Sequence, residues 1–375
     1  MRCFTRFILW TLLVFIGFAT PAAACSVSFL EAGGKAFVAR NMDWPEPEGV
    51  VVKNYRGVEK SALLPPTGAV PYEWTSRWGS VTFDMYTDIP GVGKLNAPGC
   101  GLNEAGFYAA ALFVSHPEYP GPGGKPALRC AEVVRVLLDT CATVPEALAR
   151  LAEFGVTELI VGGVEFRLHW FLADRDGNAA IVEFPPENHG VMAVHFPPLY
   201  KTMTNDYYDP SYAALSQYLT FGGDKPIPGD DAKRTSDVRF VRNTFFSRQI
   251  IESGNVTRDD GFDLMGKVAQ TEGNEGSQSH TVWTIVYDLK RLNLAWTAVS
   301  NSARRSVDLR LLDFGYAPEM YSMDIQSSGE GDVTAAFGER SNRNAGCETG
   351  AYSPAIVLLL VPLLILFFRH QKRFN

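Results

Sequence analysis

Between Cys25 and Met42 the chain carries two strand-like arms, Cys25–Glu31 and Lys35–Met42, on either side of Ala32-Gly33-Gly34. Both arms are rich in strand formers and the glycines suit a tight turn, so the stretch reads as a β-hairpin. A hairpin here folds Arg40 and Asp43 back toward Cys25, turning separations of 15 and 18 residues into side-chain proximity. The same reading extends along the chain. Val50–Lys53 and Tyr72–Phe83 read as strands, and Gly101–Gly106 makes a turn into Phe107–Val114, whose alanines permit close packing. Arg167–Ala173 and Ala179–Phe184 form a second hairpin, Leu199–Met203 is strand-like, and Thr281–Asp288 with Arg291–Val299 makes a late hairpin. Helices are expected over Leu128–Thr140, from the capping box Thr143–Glu146 to Phe154, over Ser211–Tyr218 and from Ser236 onward. Strands paired in hairpins, with helices clustered between them, argue an α+β fold with largely antiparallel sheets.

Both ends differ from this middle. Arg2 and Arg6, the apolar run Phe7–Phe18 and Ala22-x-Ala24 read as a signal peptide over 1–24. From Ala351 to Phe368 the chain is uncharged and apolar, and Arg369, His370, Lys372 and Arg373 follow at once. That pattern reads as a C-terminal transmembrane or sorting helix with a basic cytoplasmic tail over 369–375. The Ser/Gly/Asn-rich stretch 327–350 reads as a linker, which leaves 25–326 as an exported domain in the periplasm or at the cell surface, anchored to the membrane by the C-terminal helix. If the leader is cut after Ala24, Cys25 carries both a thiol and an α-amine of reference pKa about 7.7–8.0.

Several chemistries are excluded by what is missing. The net charge is −7 with no basic patch, which argues against nucleic acid. Gly99-x-Gly101 is too short for a phosphate loop, and neither a Walker run, HExxH nor Gly-x-Ser-x-Gly occurs. The six cysteines lack CxxC or metal-ligand spacing, and His189 and His195 read as solvated, so no metal and no cofactor are expected. The acidic turn Asp174–Asn178 lacks the twelfth-position Glu of a calcium loop, Pro185 standing there, and reads as a plain hairpin turn.

The remaining coherent set is Cys25, Arg40, Asp43, Asn205 and Arg239. It sits among Cys25-Ser26, Ala39-Arg-Asn-Met-Asp-Trp44, Glu73-Trp-Thr-Ser-Arg-Trp-Gly-Ser80, Asn103-Glu-Ala-Gly106, Thr204-Asn205, and Pro228-Gly-Asp230 ahead of Arg239-Phe-Val-Arg242. In this order, over roughly Cys25 to Phe314, the chain resembles the choloylglycine hydrolase and penicillin V acylase family of N-terminal-nucleophile amidases. The resemblance implies a four-layer αββα sandwich and hydrolysis of a linear amide in a small acylated molecule. It implies Cys25 as nucleophile with its own α-amine as base, Asp43 holding that amine, Arg40 and Arg239 near the sulfur, and Asn205 as oxyanion donor. The position whose backbone N–H completes the oxyanion hole carries Asn in bile-salt-cleaving members and Tyr in Gram-positive penicillin acylases, and here it is Phe113. With Trp44 and Trp74, Phe113 fits the Gram-negative branch, whose members act on phenoxyacetyl penicillins and often on N-acyl homoserine lactones. The family is often tetrameric, which makes a homo-tetramer the expectation for this chain. Bile-salt hydrolysis is the alternative within the family. A different alternative comes from Ala22-Ala-Ala-Cys25, which is close to a lipobox and would give a lipid-anchored binding protein with neither a free thiol nor a free amine.

Overall fold

Side-chain alternation along the first hairpin sets the layering of the molecule. In the computed structural model, which describes residues 24–63, 65–89, 93–161, 164–271, 279–317 and 321–338, β1 (Ala24–Ala32) and β2 (Lys35–Trp44) pair antiparallel with Cys25 opposite Met42 and Val27 opposite Arg40. Gly33 and Gly34 turn the chain at φ +58° and +74°, values that glycine adopts without a Cβ clash. Cys25, Val27, Phe29, Val38 and Met42 enter one apolar core, while Leu30, Phe37 and Ala39 enter another on the opposite face.

The other strands of the two large sheets are β3 (Gly49–Asn54), β4 (Ser80–Ile89), β5 (Gly93–Asn103), β6 (Phe107–Phe113), β7 (Leu168–Asp174), β8 (Ala179–Glu183), β9 (Ala193–His195), β10 (Thr202–Met203), β11 (His280–Asp288), β12 (Asn293–Ala298), β13 (Asn301–Asp308), β14 (Ser322–Asp324) and β15 (Gly331–Asp332). A seven-stranded sheet runs β10-β1-β2-β11-β12-β13-β15, and an eight-stranded sheet runs β9-β8-β7-β6-β5-β4-β3-β14. Pairing within both is antiparallel except between β13 and β15. Helices α1 (Val133–Thr140) and α2 (Val144–Arg150) pack on the eight-stranded sheet, α4 (Ser236–Glu252) and α5 (Arg258–Val268) on the seven-stranded one, and α3 (Tyr208–Leu215) lies against α4. Three cores fill the three interfaces of this stack: between the sheets, under α1 and α2, and under α4 and α5. The fold is the expected α+β, with antiparallel sheets face to face and helices outside, an αββα order.

Three stretches differ from the sequence reading. Tyr72–Phe83 is broken: Glu73–Thr75 pairs with Glu59–Ser61, and β4 begins only at Ser80. Between them the N–H groups of Arg77 and Trp78 both donate to the Asp139 carbonyl near the end of α1, so the backbone is satisfied outside any ladder. Ahead of α1, Ala127–Arg129 is a strand paired in parallel with Gly155–Thr157, and one 3₁₀ turn, Cys130–Glu132, intervenes. Finally, the chain from 327 to 338 is packed rather than a linker: β15 pairs with β13, the Val333 N–H donates to the Ser306 carbonyl, and Phe337 is fully buried. The expected leader up to residue 23 and the span over 351–368 with its basic tail lie outside the described residues, and among the described residues no helix is long and apolar enough to cross a membrane.

Candidate active site

The end of the first hairpin gathers the residues singled out in the sequence. Cys25 is 1 % exposed, with its thiol on the inter-sheet face 3.4 Å from Met42 Sδ and 3.8 Å from Arg40 Nη2. Arg40 reaches across to the eight-stranded sheet, where its guanidinium donates to the Gly99 and Ala111 carbonyls. No carboxylate accepts from it in these contacts, so this permanently charged group sits in the inter-sheet core with the thiol among its neighbours.

On the other face of the sheet, Arg239 of α4 donates to the Cys25 carbonyl, to Ser26 Oγ at 2.9 Å and to Asn205 Oδ1 at 2.7 Å. Asn205 follows β10 and is the hub. Its Oδ1 also accepts the Cys25 backbone N–H at 2.7 Å, and its Nδ2 gives one hydrogen to the Phe113 carbonyl at 2.8 Å. Asp43, at the β2 end opposite Ala24, accepts from Thr281 Oγ1 at 2.5 Å through Oδ1, while its buried Oδ2 has no hydrogen-bond partner among the described residues. Thus Cys25, Arg40, Asp43, Asn205 and Arg239 are brought together from β1, β2, the β10 end and α4.

The electrostatics follow from burial. Desolvation pushes the Cys25 thiol above its ordinary value and Asp43 adds to this, while Arg40, the Asp43 backbone N–H and Arg239 pull it back without reversing it. Burial raises the Asp43 carboxyl to about 6 against the pull of Arg239, Thr281, Arg40 and His280. An uncompensated buried carboxylate oxygen beside a strand end is a site where a cation would be favoured.

A narrow pocket lies beside the thiol, lined by Cys25, Met42 and Met85 with Ala97–Gly99, Ala111, Phe113, Ala131, Phe166 and Leu168. No charged side chain lines it. Phe113 stacks at a tilt between Trp44 (5.3 Å) and Phe166 (6.0 Å), which makes one wall aromatic. Trp74 is placed elsewhere: it lies against Tyr72 and donates its indole N–H to Asp139 at 2.8 Å, outside the cavity wall. Its hairpin with Glu59–Ser61 carries it onto the α1 side of the eight-stranded sheet. Among the described residues no group of three or more His, Cys, Asp or Glu is placed to hold a metal.

Sequence reasoning passed over His169 and Ser236, which hold the Thr204–Asn205 peptide, and Glu183 behind His169. The strand Leu168–Asp174 is wholly buried, and a histidine inside it needs partners for both ring nitrogens, which the sequence does not name. His169 Nδ1 lies 2.8 Å from Glu183 Oε1 and Nε2 lies 2.9 Å from the Thr204 carbonyl. Met42 stood out in the sequence only as part of a motif, yet its sulfur lies 3.4 Å from the thiol.

Solved structures share this architecture. Penicillin V acylase from Agrobacterium tumefaciens superposes with a TM-score of 0.67 at 26 % identity, covering 85 % of this chain and 98 % of its own. Two variants of conjugated bile acid hydrolase from Clostridium perfringens superpose with TM-scores of 0.66 and 0.67 at 16 % identity, each over 82 % of this chain and 98 % or 99 % of their own, a likeness of fold. No curated protein sequence matches the chain. Residues 25–316 match the model of one family, and with it the chain belongs to the linear amide C–N hydrolases of the choloylglycine hydrolase family.

Proposed function

We propose that the protein hydrolyses the linear amide of a small molecule bearing an apolar or aromatic acyl group, of the penicillin V or N-acyl homoserine lactone kind, with Cys25 as nucleophile. The observation that carries this reading is the cavity: of the side chains lining it, Cys25 alone is a nucleophile, and the rest are apolar. With Ala24 attached, the Cys25 nitrogen is a peptide N–H and cannot act as a base. Release of the preceding segment after Ala24 converts it to an amine, and the unpartnered Asp43 oxygen gains a cation to face. Export fits this scheme, because removal of the leader and creation of the base become one event.

The amine takes the thiol proton, and the thiolate attacks the substrate carbonyl carbon. The oxyanion accepts the second hydrogen of Asn205 Nδ2 and the backbone N–H at Phe113, with the Arg40 and Arg239 charges nearby. The C–N bond then breaks as the leaving nitrogen receives the proton held by the Cys25 ammonium, leaving a thioester. Water, giving its proton to the same amine, cleaves the thioester to the free acid and restores the thiol. The lipid-anchor reading does not suit the observed position of Cys25, since its thiol faces the space between two sheets and is almost wholly covered.

Protein beginning at Cys25 is expected to cleave penicillin V or N-acyl homoserine lactones, and Cys25→Ala to lower kcat by at least about a thousandfold. Unchanged turnover in that variant, or a diacylglyceryl group on Cys25 in the mass of the mature protein, would overturn the assignment.

A further inference from the structure

We infer that His169, held by Glu183, is a positioning residue for the reaction, fixing the peptide that aims Asn205. The inference rests on Asn205 acting as oxyanion donor. The peptide unit joining Thr204 to Asn205 is held at both of its polar ends. Its carbonyl, on Thr204, receives His169 Nε2 at 2.9 Å, and its N–H, on Asn205, donates to Ser236 Oγ at 2.9 Å. The Thr204 hydroxyl is tied to the same serine, donating to the Ser236 carbonyl and accepting from Ser236 Oγ, each at 3.1 Å. With that plane fixed, the Asn205 side chain has little freedom except about its own bonds, and its amide falls between Cys25, Arg239 and Phe113.

His169 can do this because it is itself over-determined. Its ring is fully buried in β7, and its Nδ1 faces Glu183 Oε1 on the neighbouring strand β8. Both ring nitrogens therefore face oxygen atoms, and the ring bridges a carboxylate and the carbonyl beside Asn205. Glu183 is anchored in turn by the Tyr208 N–H at 3.1 and 3.2 Å, at the start of α3, and lies 3.3 Å from His195 Nε2. Burying a histidine against a carboxylate costs desolvation energy and is a poor way to stabilise a core. Where such a pair ends on the backbone of a reacting residue, a role in geometry accounts for it.

The test is a double-mutant cycle on protein starting at Cys25, with penicillin V as probe substrate. His169→Gln keeps a donor but cannot span both acceptors. It is expected to lower kcat by about 10- to 100-fold with KM within about threefold, the size expected when a reacting group is displaced by about an ångström. In an Asn205→Ala background the same change is expected to cost less than about threefold, because the group it positions is gone. The rate of Cys25 alkylation by iodoacetamide, which needs no oxyanion donor, is expected to stay within about twofold of the parent. Equal losses with and without Asn205, or alkylation falling in step with kcat, would overturn the inference, since His169 would then act through general stability or on the nucleophile. If Asn205→Ala alone leaves kcat unchanged, the oxyanion role fails and the inference falls with it. If the His169 variant does not fold, Ser236→Ala at the other end of the same peptide is expected to show the same split, and additivity there overturns the inference equally.

Discussion

Asp43 carries the sharpest prediction at the scale of single residues. Its carboxyl stands at about 6 with Ala24 attached, raised by burial. In the released protein the Cys25 ammonium faces it, and the two charged forms favour each other, so the amine is pushed above its reference range of about 7.7–8.0. The amine works as a base only when deprotonated, hence the rate falls as pH drops below this raised value. Asp43→Asn removes the charge and is expected to lower kcat about tenfold or more while moving the acid limb of kcat/KM toward lower pH by about one unit. An acid limb that stays in place in the variant would show that Asp43 does not face the base. Cys25, Arg40 and Asp43 were legible because one hairpin folds them together, and Asn205 and Arg239 only because their short motifs follow in family order. His169 and Glu183 were not, since a lone histidine or glutamate in a strand gives no sign of which distant peptide it meets; here the link crosses 35 residues of sequence.

Elements were legible where pairing is local and blurred where it is not. The hairpins β1–β2, β7–β8 and β11–β12 follow from strand formers around turns, but the start of α1 depends on a parallel pairing with residues 155–157 that no local pattern announces. Helix α5 escaped notice although Thr257 and Asp260 form a capping box, because Gly261 and Gly266 weaken its helical pattern. The contact of α1 with the eight-stranded sheet gives a prediction at this scale. A Cβ on Gly101 of β5 would lie 2.8 Å from the Val81 carbonyl oxygen, 2.7 Å from Thr82 Cγ2 and 2.9 Å from Leu138 Cδ1 on α1. Backbone on one side and a core leucine on the other leave no easy relief, so Gly101→Ala is expected to destabilise the fold by about 1–3 kcal/mol, read as a lower urea midpoint with unchanged slope. A midpoint equal to the parent's would mean that α1 shifts freely on its sheet.

Across the whole molecule, buried acids of opposite behaviour shape stability against pH. Burial pushes Glu183 upward, but hydrogen bonds from His169 and His195 and the Tyr208 N–H outweigh it, and the carboxyl is held at about 2, below its ordinary 4.5. Between those values the unfolded chain binds a proton that the folded one refuses, so stability rises with pH there; the full contribution, on the order of 3 kcal/mol, stands above pH 4.5 and is lost as pH falls through about 2. Asp43, while Ala24 is attached, and Glu132 act the other way. Burial raises them to about 6 and about 7, so the folded state holds protons that the unfolded chain releases, and stability falls as pH rises from the carboxylate range toward neutrality. His195, raised chiefly by Glu183, adds to the same decline, because the stabilisation it gives at low pH disappears as it loses its proton. These groups together favour a stability maximum at about pH 4–5. Glu183→Gln tests the account, since it removes the Glu183 part of the acid limb together with the share of the neutral decline that His195 owes to Glu183, and leaves the share of Glu132. Urea unfolding from about pH 2 to about pH 7 is expected to show the parent gaining stability up to the maximum and the variant gaining clearly less between about pH 2 and about pH 4.5, and an equally steep acid limb in the variant would place the responsible carboxylate elsewhere.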